Sequence, residues 1–137
     1  MKTLILKFIP LLFILALPGL QQAQPIATTA GTVTSCPGEI AVPINVTNFN
    51  GVGAISLMLN YPNTVLTYVG YQNLNAALTT GYLIVNSTGS KVIISWASTT
   101  PANIGTGTLM QLRFNAVPGS GGLNWDTSIT GNCEYSD

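Results

Sequence analysis

Residues 38–61 read GEIAVPINVTNFNGVGAISLMLNY. Ile40, Val42, Ile44 and Val46 fall at every second position of this stretch, and Ile55, Leu57, Leu59 and Tyr61 do so again after Asn50-Gly51. A period of two puts alternate side chains on one face of an extended chain, which is the mark of a half-buried strand. Asn-Gly is turn chemistry. Pro43 has no N–H to give to a ladder, so its place in the first run predicts an edge position or a bulge.

The pattern continues outward from this pair. Val65–Tyr71, Tyr82–Asn86, Val92–Trp96 and Thr108–Val117 are each rich in β-branched or aromatic residues. Between them stand Pro62-Asn63, Thr88-Gly89-Ser90, Gly105-Thr106-Gly107 and residues 118–122, Pro-Gly-Ser-Gly-Gly. Short strands about 10 residues apart with turn signals between them predict an all-β sandwich or jelly roll. Only Asn73–Thr80 is suited to a helical turn.

Composition excludes several kinds of chemistry. The 137 residues include four Lys or Arg, four Asp or Glu and no His, and 6% are charged. Nucleic-acid binding needs clustered cations against phosphates, and these are lacking. Catalysis through imidazole and zinc held by His are excluded outright. Glu39, Asp126, Glu134 and Asp137 are the only carboxylates, and they are spread too thinly for a glycosidase pair or a calcium site. The chain reads as no enzyme, with no metal and no cofactor.

The first 23 residues stand apart. Lys2 and Lys7 precede an apolar run, Phe8–Leu17, interrupted only by Pro10, and a polar stretch follows from Gln21. This is the layout of a secretory signal peptide cut after Ala23. A retained anchor is the alternative, but the run is shorter than the roughly 20 residues that span a bilayer. The mature module is then residues 24–137, secreted or at the cell surface, with membrane contact only through the uncleaved signal. In an oxidising compartment Cys36 and Cys133 are expected to pair, constraining the unfolded chain by roughly 4–5 kcal/mol in the chain-entropy picture. Two unpaired thiols are the alternative.

Residues Val42–Tyr61 resemble the opening of a cohesin domain: a strand bearing Val and Pro, a turn around Asn and Gly, then an alternating strand ending in Tyr. Val65-Leu-Thr-Tyr-Val-Gly70, Lys91–Trp96 and Gly107–Phe114 resemble later strands of that family in the same order. The resemblance covers about residues 30–135. It implies a nine-stranded jelly-roll sandwich close in fold to cellulose-binding modules, found in secreted polysaccharide-degrading systems and binding dockerin modules. Two departures follow. The outward positions Ala54 and Ser56, and the run Ser98, Thr99 and Thr100, stand where dockerin-binding cohesins carry polar and acidic residues, which argues against a charged contact. The chain also leaves no residues for the last strand of such a sandwich, so of about eight to nine strands the last is expected to be missing. The first strand, expected near Gly31–Ser35, is then expected to lack its partner.

Aromatic rings with nearby amides suit sugar stacking. Tyr71 and Tyr82 flank the loop from Gln72 to Asn75, so Tyr71, Tyr82, Asn73 and Asn75 are the candidate ligand-binding residues. The expected function is a secreted, non-catalytic binding module whose partner is a polysaccharide or a dockerin-like protein. The alternative is a structural extracellular domain that assembles by strand addition.

Overall fold

The structure is a computed structural model and describes residues 24–31 and 37–137. The expected signal peptide, residues 1–23, and Cys36 with its expected link to Cys133 lie outside the described residues. The described chain forms β1 (Ala27–Ala30), β2 (Gly38–Phe49), β3 (Val52–Asn60), β4 (Leu66–Gln72), β5 (Tyr82–Thr88), β6 (Lys91–Ala102), β7 (Gly105–Ala116), β8 (Asn124–Trp125) and β9 (Cys133–Ser136). One 3-10 turn, Ala76–Leu78, lies between β4 and β5. It falls where the sequence allowed a helical turn. The Asn75 carboxamide starts it by accepting from the Ala77 N–H at 3.0 Å, the usual service of Asn at such a position.

The strands make two antiparallel sheets. One has the order β1-β2-β7-β4; the other runs β5-β6-β3. The far edge of β3 is shared end to end: β8 pairs at Leu59 and Asn60, and β9 pairs at Ala54 to Leu57. The two inner faces form the core, as in other sandwiches. Val42, Ile44 and Val46 of β2 are buried, and so are Ile55, Leu57 and Leu59 of β3, Val92, Ile94 and Trp96 of β6, and Leu112 and Phe114 of β7. The period of two seen in the sequence is therefore the core pattern itself. Each such side chain contributes roughly 1.5–3 kcal/mol relative to exposure. Tyr61 closes the end of β3. Its ring lies 5.2 Å from that of Phe114, and its hydroxyl donates to the Gly89 carbonyl at 3.1 Å.

Pro43 sits in β2 beside Gln111 of β7. Its carbonyl accepts from the Gly31 N–H at 2.8 Å, just past the last β1–β2 pair, Ala30 with Ile44. In a strand the N and C=O of a residue point to the same side. The missing N–H therefore faces the place where β1 stops, and the β7 ladder loses nothing. A bulge follows at once, between Ile44 and Asn45.

Three boundaries differ from the sequence reading. β6 continues past Trp96 to Ala102, and β7 starts at Gly105, so Gly105-Thr106-Gly107 is strand rather than turn. The turn is at Asn103-Ile104, held by the Asn103 side chain accepting from the Gly51 N–H at 2.8 Å and by the Ile104 N–H donating to Phe49 O at 2.8 Å. The first strand is Ala27–Ala30, while residues 32–36 lie outside the described residues. Residues Cys133–Ser136, to which the alternation assigned no strand, make β9 on β3. No described strand lies on the outer edge of β1.

Candidate functional site

Outward-facing residues follow from the register, because residues directly opposite on paired strands share a face. On the second sheet the outer face consists of rows across β5, β6, β3 and β9. One row is Tyr82, Ala97, Ala54 and Ser136; the next is Ile84, Ser95, Ser56 and Glu134. A third row holds Asn86, Ile93 and Met58. Small side chains floor the middle. Tyr82 is 74% exposed and Ile84 46%, far more than core-forming aromatic and aliphatic residues. Ser56 spends its hydroxyl on the Gly131 carbonyl at 2.8 Å.

The outer face of the first sheet is chemically different, because its polar groups are already satisfied by one another. Arg113 donates to both carboxylate oxygens of Glu39, at 2.7 and 2.8 Å. Gln111 Oε1 accepts from Gln72 at 3.0 Å and from Asn73 at 2.8 Å. Thr108 donates to Asn45 Oδ1 at 2.7 Å. A partner at this face would have to break these bonds and find replacements.

Both cations among the described residues are used internally. Lys91, at the end of β6, reaches Asp126 at 2.6 Å. Asp126 is buried and accepts from the Ser128 N–H at 3.1 Å. The Lys91 hydrogen bond, reinforced by Ser128, holds the Asp126 carboxyl well below the usual carboxylate range. Arg113 lowers Glu39 in the same direction. Burial pushes the Tyr68 hydroxyl up to about 12. A carboxyl with a depressed folded-state pKa adds stability above its unfolded value, near 4, and that stability fades as pH falls through the folded value. The melting temperature should therefore be level from about pH 7 to 5 and fall below about pH 4. Asp126→Asn should flatten that acid limb. Thermal melts of both proteins across the range check this, and identical acid limbs would count against the assignment.

The structure sets the four residues singled out from sequence in separate surroundings. Asn75 is committed to the 3-10 turn and to the Thr108 carbonyl, at 2.9 Å. Asn73 is bonded to Gln111 and has φ of 51°. Tyr71, 40% exposed, is in register with the buried Leu112 and so lies on the core side of the β4 edge. Tyr82 is in register with Ala97 on the opposite, outer side of the other sheet. The shared loop therefore gives the two tyrosines no common face. The row composition that marks the second sheet was out of reach of sequence reading, since it joins residues 54, 82, 97 and 136. Alternation alone does give the outward parity of Tyr82 and Ile84. Among the described residues there is no group of His, Cys, Asp or Glu that could hold a metal, and no helix long and apolar enough to cross a membrane.

Comparison with known proteins agrees with this architecture. The family model for the cohesin domain matches residues 26–137. No curated protein matches the sequence. The solution structure of CaCohA2 from Clostridium acetobutylicum is similar over 85% of this chain and 81% of that one, at 20% identity and a TM-score of 0.70. A non-cellulosomal cohesin from the hyperthermophilic archaeon Archaeoglobus fulgidus is 24% identical, with 68% of this chain and 66% of that one covered and a TM-score of 0.59. A type I cohesin–dockerin complex from Clostridium thermocellum is 14% identical, with 75% and 82% covered and a TM-score of 0.62. At such identities the structural likeness establishes the fold. The family model spans both sheets, from the residue before β1 onward, and this chain belongs to the cohesin domain family.

Proposed function

We propose that this cohesin domain is an exported, non-catalytic module that holds a dockerin-type protein on the outer face of β5, β6, β3 and β9, within a polysaccharide-degrading system. One observation carries the reading. This outer face offers the exposed apolar side chains of Tyr82 and Ile84 over a floor of small residues, while the other has its polar groups paired around the single exposed Val69. Exposed aromatic and aliphatic anchors with little competing polarity are what protein interfaces use. The solved complex from Clostridium thermocellum joins a cohesin of this fold to a dockerin, which supports the choice of partner.

The test is retention of the protein on immobilised dockerin modules and, separately, on cellulose, xylan and chitin. Retention on a dockerin, weakened by roughly 1–2 kcal/mol in Tyr82→Ala and unchanged in Tyr71→Ala, is the expected result. Retention on a polysaccharide, lost when both tyrosines are removed, would shift the reading to the glycan.

A second reading has its own observation: among the described residues, the outer edge of β1 has no partner strand. An open edge can take a strand from a neighbouring chain. Sedimentation without any added ligand separates it from the first: concentration-dependent assembly supports strand addition, and a monomer at all concentrations removes it.

A further inference from the structure

Two loops that carry the chain from one sheet to the other lie side by side. Asn50-Gly51 joins β2 of the first sheet to β3 of the second, and Asn103-Ile104 leads back from β6 to β7. The strand ends around them are paired, Phe49 with Gly105 and Val52 with Ala102. Two hydrogen bonds run between the loops. The Ile104 N–H donates to the Phe49 carbonyl and the Gly51 N–H to Asn103 Oδ1, both at 2.8 Å.

Asn50-Gly51 is the one Asn-Gly step in the sequence, and this dipeptide has chemistry of its own. The backbone nitrogen that follows an asparagine can attack the side-chain amide carbon. Its proton goes to water, the new C–N bond closes a five-membered succinimide, and the side-chain nitrogen leaves as ammonia. Water then opens the ring at either carbonyl and leaves aspartate or isoaspartate. No oxidant or reductant takes part. A side chain on the attacking residue obstructs the closure, and glycine has none. Asn50 is exposed. Gly51 has φ of 68°, and nothing stands within 4 Å of where its Cβ would be. Sterically, the step is open.

The nucleophile is what is restrained. Its proton is held by Asn103 Oδ1, in the other loop. The nitrogen must give up that bond before it can close on Asn50. Asn103 is itself followed by Ile104, whose branched Cβ obstructs the same reaction there.

We infer that Asn50-Gly51 is a spontaneous deamidation site of the folded domain, and that Asn103 sets its rate by holding the Gly51 amide away from the Asn50 side chain. Water is the only co-reactant, and the inference is independent of the proposed function. Either product puts a carboxylate in the crossing, and isoaspartate also lengthens its main chain by a methylene. A loosening of the Asn103 loop is thereby written into the chain as a covalent change.

The experiment incubates the folded protein in mildly alkaline buffer below its melting temperature. Mass spectrometry of peptides, with aspartate and isoaspartate separated by chromatography, follows the loss of Asn50. The readout is that loss relative to loss at Asn86, which is exposed and followed by Ser87, so that general loosening cancels. The ratio should be lower in the folded parent than in the same protein held in urea. Asn103→Ala should raise it roughly two- to tenfold, the rate equivalent of one ordinary hydrogen bond. Asn103→Asp, which keeps an acceptor for the Gly51 N–H, should stay close to the parent. An unchanged ratio in Asn103→Ala overturns the inference, and so does a folded parent with the same ratio as the protein in urea.

Discussion

Replacing Trp96 by alanine is expected to destabilise the domain by about 3–5 kcal/mol, the largest effect of any single side chain in the core. Trp96 is 2% exposed and lies in line with Val92 and Ile94 on the inner face of β6. It also ties two elements together, since its indole N–H donates to the Leu78 carbonyl at 2.8 Å. Alanine would open a large cavity and leave that carbonyl with only the long hydrogen bond from the Gly81 N–H, at 3.4 Å. Trp96 has no slack around it. A Cβ at Gly81 would stand 2.2 Å from the indole nitrogen and 2.7 Å from the Ala97 carbonyl, so Gly81→Ala should destabilise as well by displacing the ring. Thermal unfolding should show a fall of roughly 10–25 °C in Tm for Trp96→Ala. Trp96→Phe should fall between, keeping part of the apolar volume and losing the hydrogen bond. A Trp96→Ala protein that melts within a few degrees of the parent would show that the 3-10 turn is held without the indole.

Ser95→Arg is expected to abolish partner binding and leave the fold unchanged. Ser95 faces outward in the centre of the second sheet, between Ile84 and Ser56. An arginine there stands over the small-residue floor and holds a partner off this face, losing its water if the partner closes over it. A loss of about 3 kcal/mol or more, over a hundredfold in Kd, follows. Asn115→Arg is the control. It adds the same charge to the exposed outer face of the first sheet and should leave Kd within about twofold of the parent. Calorimetry on the two variants decides. Equal losses would mean that net charge, and not the face, governs binding, and an unaffected Ser95→Arg would move the partner elsewhere.

The part of this architecture that was legible in sequence is the part written in local alternation. The inward sets of β2, β3 and β6 needed only a period of two, and Pro43 announced its own irregularity. β1, β8 and β9 are four, two and four residues long, too short for a period to show. They exist because β2 and β3 offer ladders to them, which is tertiary information. The buried Asp126 was invisible for the same reason, since it joins Lys91 only after the β8 segment is laid beside β3. Tyr71 and Tyr82 lie close to one loop in sequence, but a loop that passes from one sheet to the other can place its flanks on opposite sides. Outward parity could be assigned strand by strand. Which outward residues become neighbours depends on register, and register is fixed by core packing rather than by any single strand.

The chain joins the sandwich at Ala27, opposite Thr47, and leaves it at Ser136, opposite Ala54. Both points flank the turn at Asn50-Gly51 that connects β2 to β3, so the two outermost strands have their free ends at the same end of the body. Tension applied between these ends does not pull β1 or β9 lengthwise against a neighbour, where all the ladder bonds would share the load. It lifts each strand away from the end, and the bonds open one after another. Under traction the module should behave as a zipper, yielding at low force from the side of the β2–β3 turn. Single-molecule stretching from Gln24 and Asp137 would show this as early loss of two short strands ahead of the β2–β7 and β3–β6 ladders.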